Sequence, residues 1–245
     1  MAADWIIPDW PTPPGVKAVS TTRAGGVSTG VYASFNLGEH VGDAPRAAAE
    51  NRRRLRAGLS LGHEPHWLKQ VHGTTVARLD VGPTHGSADA AVISKPGEAC
   101  VIMTADCLPV LFCDQAGTQV AAAHAGWRGL AAGVLEATLR SMNAKPETIL
   151  AWLGPAIGPQ AYEVGEDVRR AFVGASAEAE QAFKPGKVPG KWWCDLYLLA
   201  SQRLHRMGVR QIHGGGFCTY TERERFFSFR RDGETGRMAT LIYRE

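Results

Sequence analysis

Three short apolar runs, residues 99–104, 110–113 and 119–124, succeed one another with turn residues between them. They are apolar on both faces, the pattern of strands buried on both sides. Two of them run straight into polar, reactive residues. The first continues as Thr104-Ala-Asp-Cys-Leu-Pro-Val110, which offers Asp106 and Cys107. The last continues as His124-Ala-Gly-Trp-Arg-Gly129, a glycine-bracketed turn into a helix. An earlier stretch, Trp67-Leu-Lys-Gln-Val-His-Gly73, ends on His72 in the same way.

A thiol and two imidazoles at strand ends make a three-ligand metal site. The set suits zinc, whose catalytic sites often use three protein ligands and leave the fourth position open. No nearby CxxC or HxxxH offers a closed tetrad. Asp106 or a backbone carbonyl would hold a ligand imidazole in place. Taken singly, Cys107 reads as a buried small hydrophobe and each histidine as a satisfied polar group. The shared position at the end of an apolar run favours the metal. The same residues also allow a metal-free reading, with Cys107 as nucleophile and His124 as its base.

The rest of the chain supports one mixed α+β domain over residues 1–245. Residues 16–22 read as a strand, 23–30 as a glycine-rich loop lacking both nucleotide fingerprints, and 34–40 as irregular chain. Asp43 is expected to cap a helix with Pro45 in its first turn, ending by Gly58. Residues 66–72 and 74–79 are expected as neighbouring strands across Gly73, followed by a strand at 88–93. Residues 129–142 and 166–172 read as helices, 148–153 as a strand and 154–159 as a loop. Residues 183–191, with two prolines and two glycines, read as a mobile excursion. Asp195 caps an amphipathic helix closed by Gly208, and a strand at 209–213 follows. Residues 226–229 and 238–243 are expected to pair as strands.

Composition narrows the function classes. A chain of 245 residues with 44% apolar and 21% charged residues has ample material for a core. A net charge of +3 gives no case for nucleic acid, and the run Arg52-Arg-Arg-Leu-Arg56 reads as a solvated face or a source of one anion contact. No stretch approaches the ~18 apolar residues of a membrane span. The first residues lack the basic and apolar regions of a signal peptide. Five cysteines without regular spacing fit a reducing compartment, so a cytoplasmic location is expected. The turn at 124–129 suggests an anion site at a helix start with Arg128. Arg230 and Arg231 would meet a phosphate or pair with Asp232. Tyr162, Phe217, Phe226 and Phe227 would stack on a flat base, although aromatics in strands more often belong to the core. Cys218, after a triple glycine, is a further pocket candidate.

At this point the motifs add up to a family. Thr21-Thr-Arg-Ala-Gly-Gly-Val-Ser, Asn36-Leu-Gly-Glu-His-Val-Gly-Asp43, Gln70-Val-His-Gly73, Ala105-Asp-Cys-Leu-Pro-Val110, His124-Ala-Gly-Trp-Arg-Gly129, Leu153-Gly-Pro-Ala-Ile-Gly-Pro159, Tyr162-Glu-Val-Gly165 and Phe226-Phe-Ser-Phe-Arg-Arg231 occur in this order. The chain resembles the bacterial laccase-domain proteins of YfiH type over nearly its whole length. These are variously called polyphenol oxidase, purine nucleoside phosphorylase and peptidoglycan editing factor. The resemblance implies mixed sheets with helices in an α/β/β/α arrangement, similar to a cysteine-hydrolase toxin. It implies His72, Cys107 and His124 as zinc ligands and catalytic residues.

The family carries three activities. The leading one is zinc-dependent phosphorolysis of adenosine, inosine, guanosine or methylthioadenosine to free base and ribose 1-phosphate, with adenosine deamination in some members. Asn36, His40, Arg128, Arg230 and Cys218 are then expected around substrate or phosphate. The second is hydrolysis of misincorporated serine from UDP-MurNAc cell-wall precursors. The third is copper-dependent phenol oxidation. Multicopper oxidases draw on many histidines in HxH and HCH pairs, and this chain has eight histidines and no such pair. Oxidase activity would then be adventitious copper loading. A non-enzymatic, metal-stabilised binding protein predicts a closed site and no turnover. The expected partner is a small molecule, with no nucleic acid and no membrane.

Overall fold

The computed structural model describes residues 4–81 and 86–245, so residues 1–3 of the N-terminal stretch read above lie outside it. In chain order its strands are β1 (Val16–Ser20), β2 (His66–Trp67), β3 (Val76–Arg78), β4 (Ala90–Ile93), β5 (Ala99–Thr104), β6 (Leu108–Asp114), β7 (Val120–Ala125), β8 (Ile149–Leu153), β9 (Glu163–Gly165), β10 (Phe183–Pro185), β11 (Lys191–Cys194), β12 (Gln211–Gly214) and β13 (Met238–Arg244). The α-helices are α1 (Pro45–Gly58), α2 (Trp127–Ala132), α3 (Val134–Ser141), α4 (Glu166–Val173), α5 (Leu196–Arg206) and α6 (Phe229–Asp232).

Two mixed sheets carry the architecture. One has the order β1-β13-β5-β2 and the other β12-β8-β6-β7-β4-β3, while β10-β11-β9 form a small third sheet. The alternation of side chains along each strand sorts the core into layers. Leu108, Val110 and Phe112 of β6 face a cluster built with Leu130, Leu135, Leu139, Phe172, Leu199 and Leu204 of the helices. Leu111 and Cys113 of the same strand face the other way, into a cluster with Cys100, Ile102 and Ile242 of the first sheet. The outer face of that sheet, Val101, Ala239 and Leu241, packs on Leu55 of α1 together with Phe35 and Leu37. The result is helix, sheet, sheet, helix, as the family resemblance implied. The strands are apolar on both faces because both sheets are covered on both sides.

Several local expectations change. Ala44, not Asp43, is the N-cap of α1 and makes no side-chain cap. The Asp43 carboxylate instead accepts from Ser28 and Asn36, tying the preceding loops together. β2 and β3 are not neighbours: each lies parallel to a strand of a different sheet, β5 and β4 respectively. The helix expected over 129–142 is broken at Gly133, whose φ of +100° separates α2 from α3. Residues 183–191 are an antiparallel hairpin segment, with β10 paired to β11. Residues 226–227 are irregular and 229–232 helical, so β13 pairs with β1 and β5 instead. Asp195 does cap α5, accepting from the Leu198 amide.

Candidate metal centre

Strand register brings the three ligand candidates to one place. Leu108 of β6 lies opposite Ala125 of β7, so Cys107, one residue before β6, meets the end of β7. On β7, Ala121, Ala123 and Ala125 face the helix layer, which turns His124 toward the space between the sheets. His72 arrives from the loop between β2 and β3. The donor atoms of His72, Cys107 and His124 all lie within 4.8 Å of one another. Cys107 Sγ is 3.7 Å from His72 Nε2, and the two rings meet edge-on with centroids 4.7 Å apart.

His124 is held by Asp89, the residue before β4. Its Nδ1 lies 2.8 Å from Asp89 Oδ1, which leaves Nε2 for the site. The Asp89 carboxylate also accepts from the amides of Val71, His72 and Gly73. Asp106, expected in this role, instead accepts from Thr219 Oγ1 and the Arg230 amide. Its φ of +94° and that of +61° at His72 are uncommon for residues with a Cβ, and both occur beside ligand candidates. Gly126 completes the site by having no side chain. A Cβ there would stand 2.7 Å from His72 Cδ2 and 2.9 Å from Cys107 Sγ.

Electrostatics favour a thiolate. Burial alone would raise the Cys107 thiol, but His124 and His72 bring it down to about 6. Burial alone would lower His124, but Cys107 and Asp89 raise it to about 9. Burial likewise opposes ionisation of Asp89, while His124 and the Gly73 and Val71 amides hold its carboxyl below the ordinary range. By contrast, burial drives the thiols of Cys100, Cys113 and Cys194 upward. A thiolate with two imidazoles fits zinc, and also accepts copper.

The triad opens into a cavity of about 850 Å³. Of the substrate residues expected from sequence, His40 and Arg128 line it. The other three do not. Asn36 is fully buried and binds Gly38, Asp43 and the Arg237 amide. Arg230 donates to the Glu163 carbonyl and sits over Tyr162. Cys218 accepts from the Gly158 amide. Arg231 pairs with Asp232. Phe226 and Phe227 are core residues with Phe217 packed beside them. The aromatic side chains that do line the cavity are Trp67 and Phe229, accompanied by Lys69, Arg52 and Arg237. The anion site expected at the helix start has little helix behind it, because α2 is only six residues long.

Sequence reasoning missed Asp89, Arg237 and Trp67. Asp89 carried a readable signal. It stands at the edge of an apolar run as Cys107 and His124 do, but at the start of the run 88–93 and not at its end.

A family model described as multi-copper polyphenol oxidoreductase laccase matches residues 17–245. The chain belongs to this YfiH-type laccase family. It is 56% identical over 239 residues to a purine nucleoside phosphorylase of Pseudomonas aeruginosa, covering 98% of both chains. It is also 56% identical to the purine nucleoside phosphorylase YfiH of Escherichia coli, covering 97% of this chain and 98% of that one. The crystal structure of a Neisseria meningitidis protein matches this YfiH-type fold with a TM-score of 0.94 at 50% identity, over 99% of both chains. YlmD from Geobacillus stearothermophilus matches with a TM-score of 0.81 at 31% identity, over 95% of this chain and 93% of that one. Among the described residues, the one group of three His, Cys, Asp or Glu side chains able to share an ion is His72, Cys107 and His124. No helix among them is long and apolar enough to cross a membrane.

Proposed function

We propose that this YfiH-type chain is a zinc-dependent purine nucleoside phosphorylase acting on adenosine, inosine, guanosine or methylthioadenosine. The observation that carries this reading is a thiolate–imidazole triad opening into a cavity with both cationic and aromatic walls. The printed names of the relatives support the same reading. Zinc held by His72, Cys107 and His124 would supply Lewis-acid polarisation in the cavity.

The chain's own residues do the rest. Arg52 is committed to Glu39 and the Leu37 carbonyl. That leaves Lys69, Arg128 and the remaining nitrogens of Arg237, whose Nη1 donates to the Thr235 and Gly236 carbonyls, to hold phosphate beside the ribose. A phosphate oxygen forms the new bond to C1′ as the C1′–N9 bond breaks. The electron pair stays with the purine, which takes up a proton from solvent. Trp67 and Phe229 offer ring faces to the base. Partial burial, with Arg237 and Arg52 nearby, holds the His40 imidazole below its ordinary value, so at neutral pH it enters as a neutral hydrogen-bonding group.

One observation favours a second reading. Cys107, His124 and Asp89 stand in the order of a thiol–imidazole–carboxylate triad. A metal-free chain would then hydrolyse acyl groups, such as serine misattached to UDP-MurNAc. Deamination of adenosine is a finer variant of the first reading. A single three-donor group gives copper oxidation little support.

Metal content and nucleoside turnover on one preparation, purified without added metal, separate these readings. About one zinc per chain with phosphate-dependent release of adenine and ribose 1-phosphate is the expected result. Phosphate-independent formation of inosine would instead indicate deamination. Zinc without nucleoside turnover would count against phosphorolysis, and a metal-free chain that hydrolyses acyl substrates would favour the triad.

A further inference from the structure

The two histidines of the centre come from different parts of the fold, His72 from a loop and His124 from a strand of the six-stranded sheet. One carboxylate joins them. Asp89 is fully buried, and a buried carboxylate persists only when its oxygens are satisfied. Among the described residues, every partner of its carboxylate belongs to the two histidine segments. Oδ1 accepts from the His72 amide at 2.8 Å and lies 2.8 Å from His124 Nδ1. Oδ2 accepts from the Gly73 amide at 2.7 Å, and the Val71 amide reaches both oxygens. The backbone repeats the link, because the His124 amide donates to the Asp89 carbonyl at 2.6 Å.

We infer that Asp89 is a positioning residue that sets both histidines for the metal at once. For His124 it fixes the ring: with Nδ1–H held by the carboxylate, Nε2 is the nitrogen left to bind. For His72 it fixes the backbone. Residues 71–73 belong to no strand, and Val71 and His72 are exposed, so burial does not hold the segment. Three successive amides converging on one carboxylate do, and they keep His72 in its left-handed conformation. The centre is therefore assembled around one acidic side chain, and its two imidazoles do not adjust independently. This inference rests on the reading of His72, Cys107 and His124 as metal ligands.

Two measurements test it. In the zinc-loaded wild-type chain, the amides of Val71, His72 and Gly73 should exchange with solvent at least about 100-fold more slowly than open loop amides. The His124 Nδ1–H should appear as a slowly exchanging downfield imidazole proton. In Asp89→Asn, one of the two acceptor oxygens becomes an NH2 group, which must meet either the Gly73 and Val71 amides or the His72 amide and His124 Nδ1, donor against donor. Zinc affinity, measured by chelator competition, should fall about 10- to 100-fold, and the imidazole proton should shift or exchange faster. A purely structural anchor would lower the melting temperature without moving either readout. A folded Asp89→Asn chain with wild-type zinc affinity and an unchanged imidazole proton sinks the inference alone. A wild-type chain with no affinity for zinc sinks the metal reading and the inference with it. If the variant does not fold, the wild-type exchange rates decide: loop amides at 71–73 that exchange freely overturn the proposal.

Discussion

The cavity has two ends built on different principles. At the triad end, the ligand candidates are held by groups that cannot move far. Asp89 grips backbone amides and an imidazole, Asp106 grips Thr219 and the Arg230 amide, and Gly126 leaves room that no side chain could share. At the other end, Arg52 lies 4.0 Å over the Trp67 ring and pairs with Glu39, whose side chain is 57% exposed. His40, only partly covered, opens to solvent beside them. The first end is organised before any ligand arrives, as electrostatic catalysis requires. In the second, Arg52 is itself 13% exposed and tied to the Leu37 carbonyl, while Glu39 and His40 beside it reach into solvent and have few fixed partners. On the proposed function, chemistry and recognition are separated along one cavity, and substitutions at the two ends should produce different kinds of loss.

The sharpest contrast comes from Cys107→Ala. It removes the thiolate that both imidazoles face. Zinc content should drop from about one per chain toward zero, and turnover should fall by about 10³-fold or more, on the scale of losing an essential catalytic group. A variant that keeps its zinc but loses turnover would recast Cys107 as a nucleophile. Gly126→Ala tests the rigidity of the same end. The new methyl group would press on His72 and Cys107, neither of which has slack. A 10- to 100-fold loss of zinc affinity is expected, on the order seen when the surroundings of a metal site are disturbed. An alanine at 126 with unchanged zinc affinity would show that this end is softer than its hydrogen bonds suggest.

The two ends also differ in how far the chain alone discloses them. Cys107, His124 and His72 were readable because each closes an apolar run, and strand ends are where sheets present reactive groups. The layered fold was readable for a related reason, since runs apolar on both faces require cover on both sides. What escaped was set by long-range pairing. Nothing local tells that β2 and β3 join different sheets, or that residues 226–228 run irregularly into the short helix α6 and stay out of the sheet. Asn36 and Cys218 stood in suggestive motifs, but tertiary contacts drew them inward as loop ties. Arg237 reaches the cavity because its amide is held by Asn36, some 200 positions earlier. Such a pairing has no signature in sequence spacing.

A smaller effect separates the ends by pH. In the chelator-treated chain, Cys107 and His124 form one thiolate–imidazolium pair. The Cys107 pKa is depressed to about 6, so its contribution is full above the ordinary thiol range and is lost as pH falls through about 6. The His124 pKa is raised to about 9, so its contribution is full below the ordinary histidine range and is lost as pH rises through about 9. Between these values the Cys107 contribution grows as the His124 contribution shrinks, so their sum is nearly level and the melting temperature of the metal-free chain should change little from about pH 6 to 9 on this account. Cys107→Ala removes the compensating partner and should make the melting temperature slope with pH across this window, whereas substitutions at Arg52 or Glu39 should not. A profile that stays level in Cys107→Ala would show that His124 is held by burial and Asp89 in balance, without the thiolate.

The smallest effects belong to the recognition end, and their smallness is the point. Glu39→Gln removes the partner of Arg52, but the Glu39 side of the pair is open to water and Arg52 keeps its bond to the Leu37 carbonyl and its stack on Trp67. The melting temperature should stay within the shift of a typical exposed pair, about 0–1 kcal/mol, and kcat should not change. Trp67→Ala takes away more. It deletes a ring face from the cavity wall and the surface under the Arg52 guanidinium, a contact worth about 0.5–2 kcal/mol. On the proposed role of Trp67, loss of a base–ring contact of about 0.5–1.5 kcal/mol should raise KM for nucleoside about 2- to 12-fold, with kcat and zinc content close to wild type. That split follows from losing an interaction made equally in the ground and transition states. Loss of kcat or of zinc in Trp67→Ala would mean that the far wall reaches the triad, and the separation of chemistry from recognition would have to be abandoned.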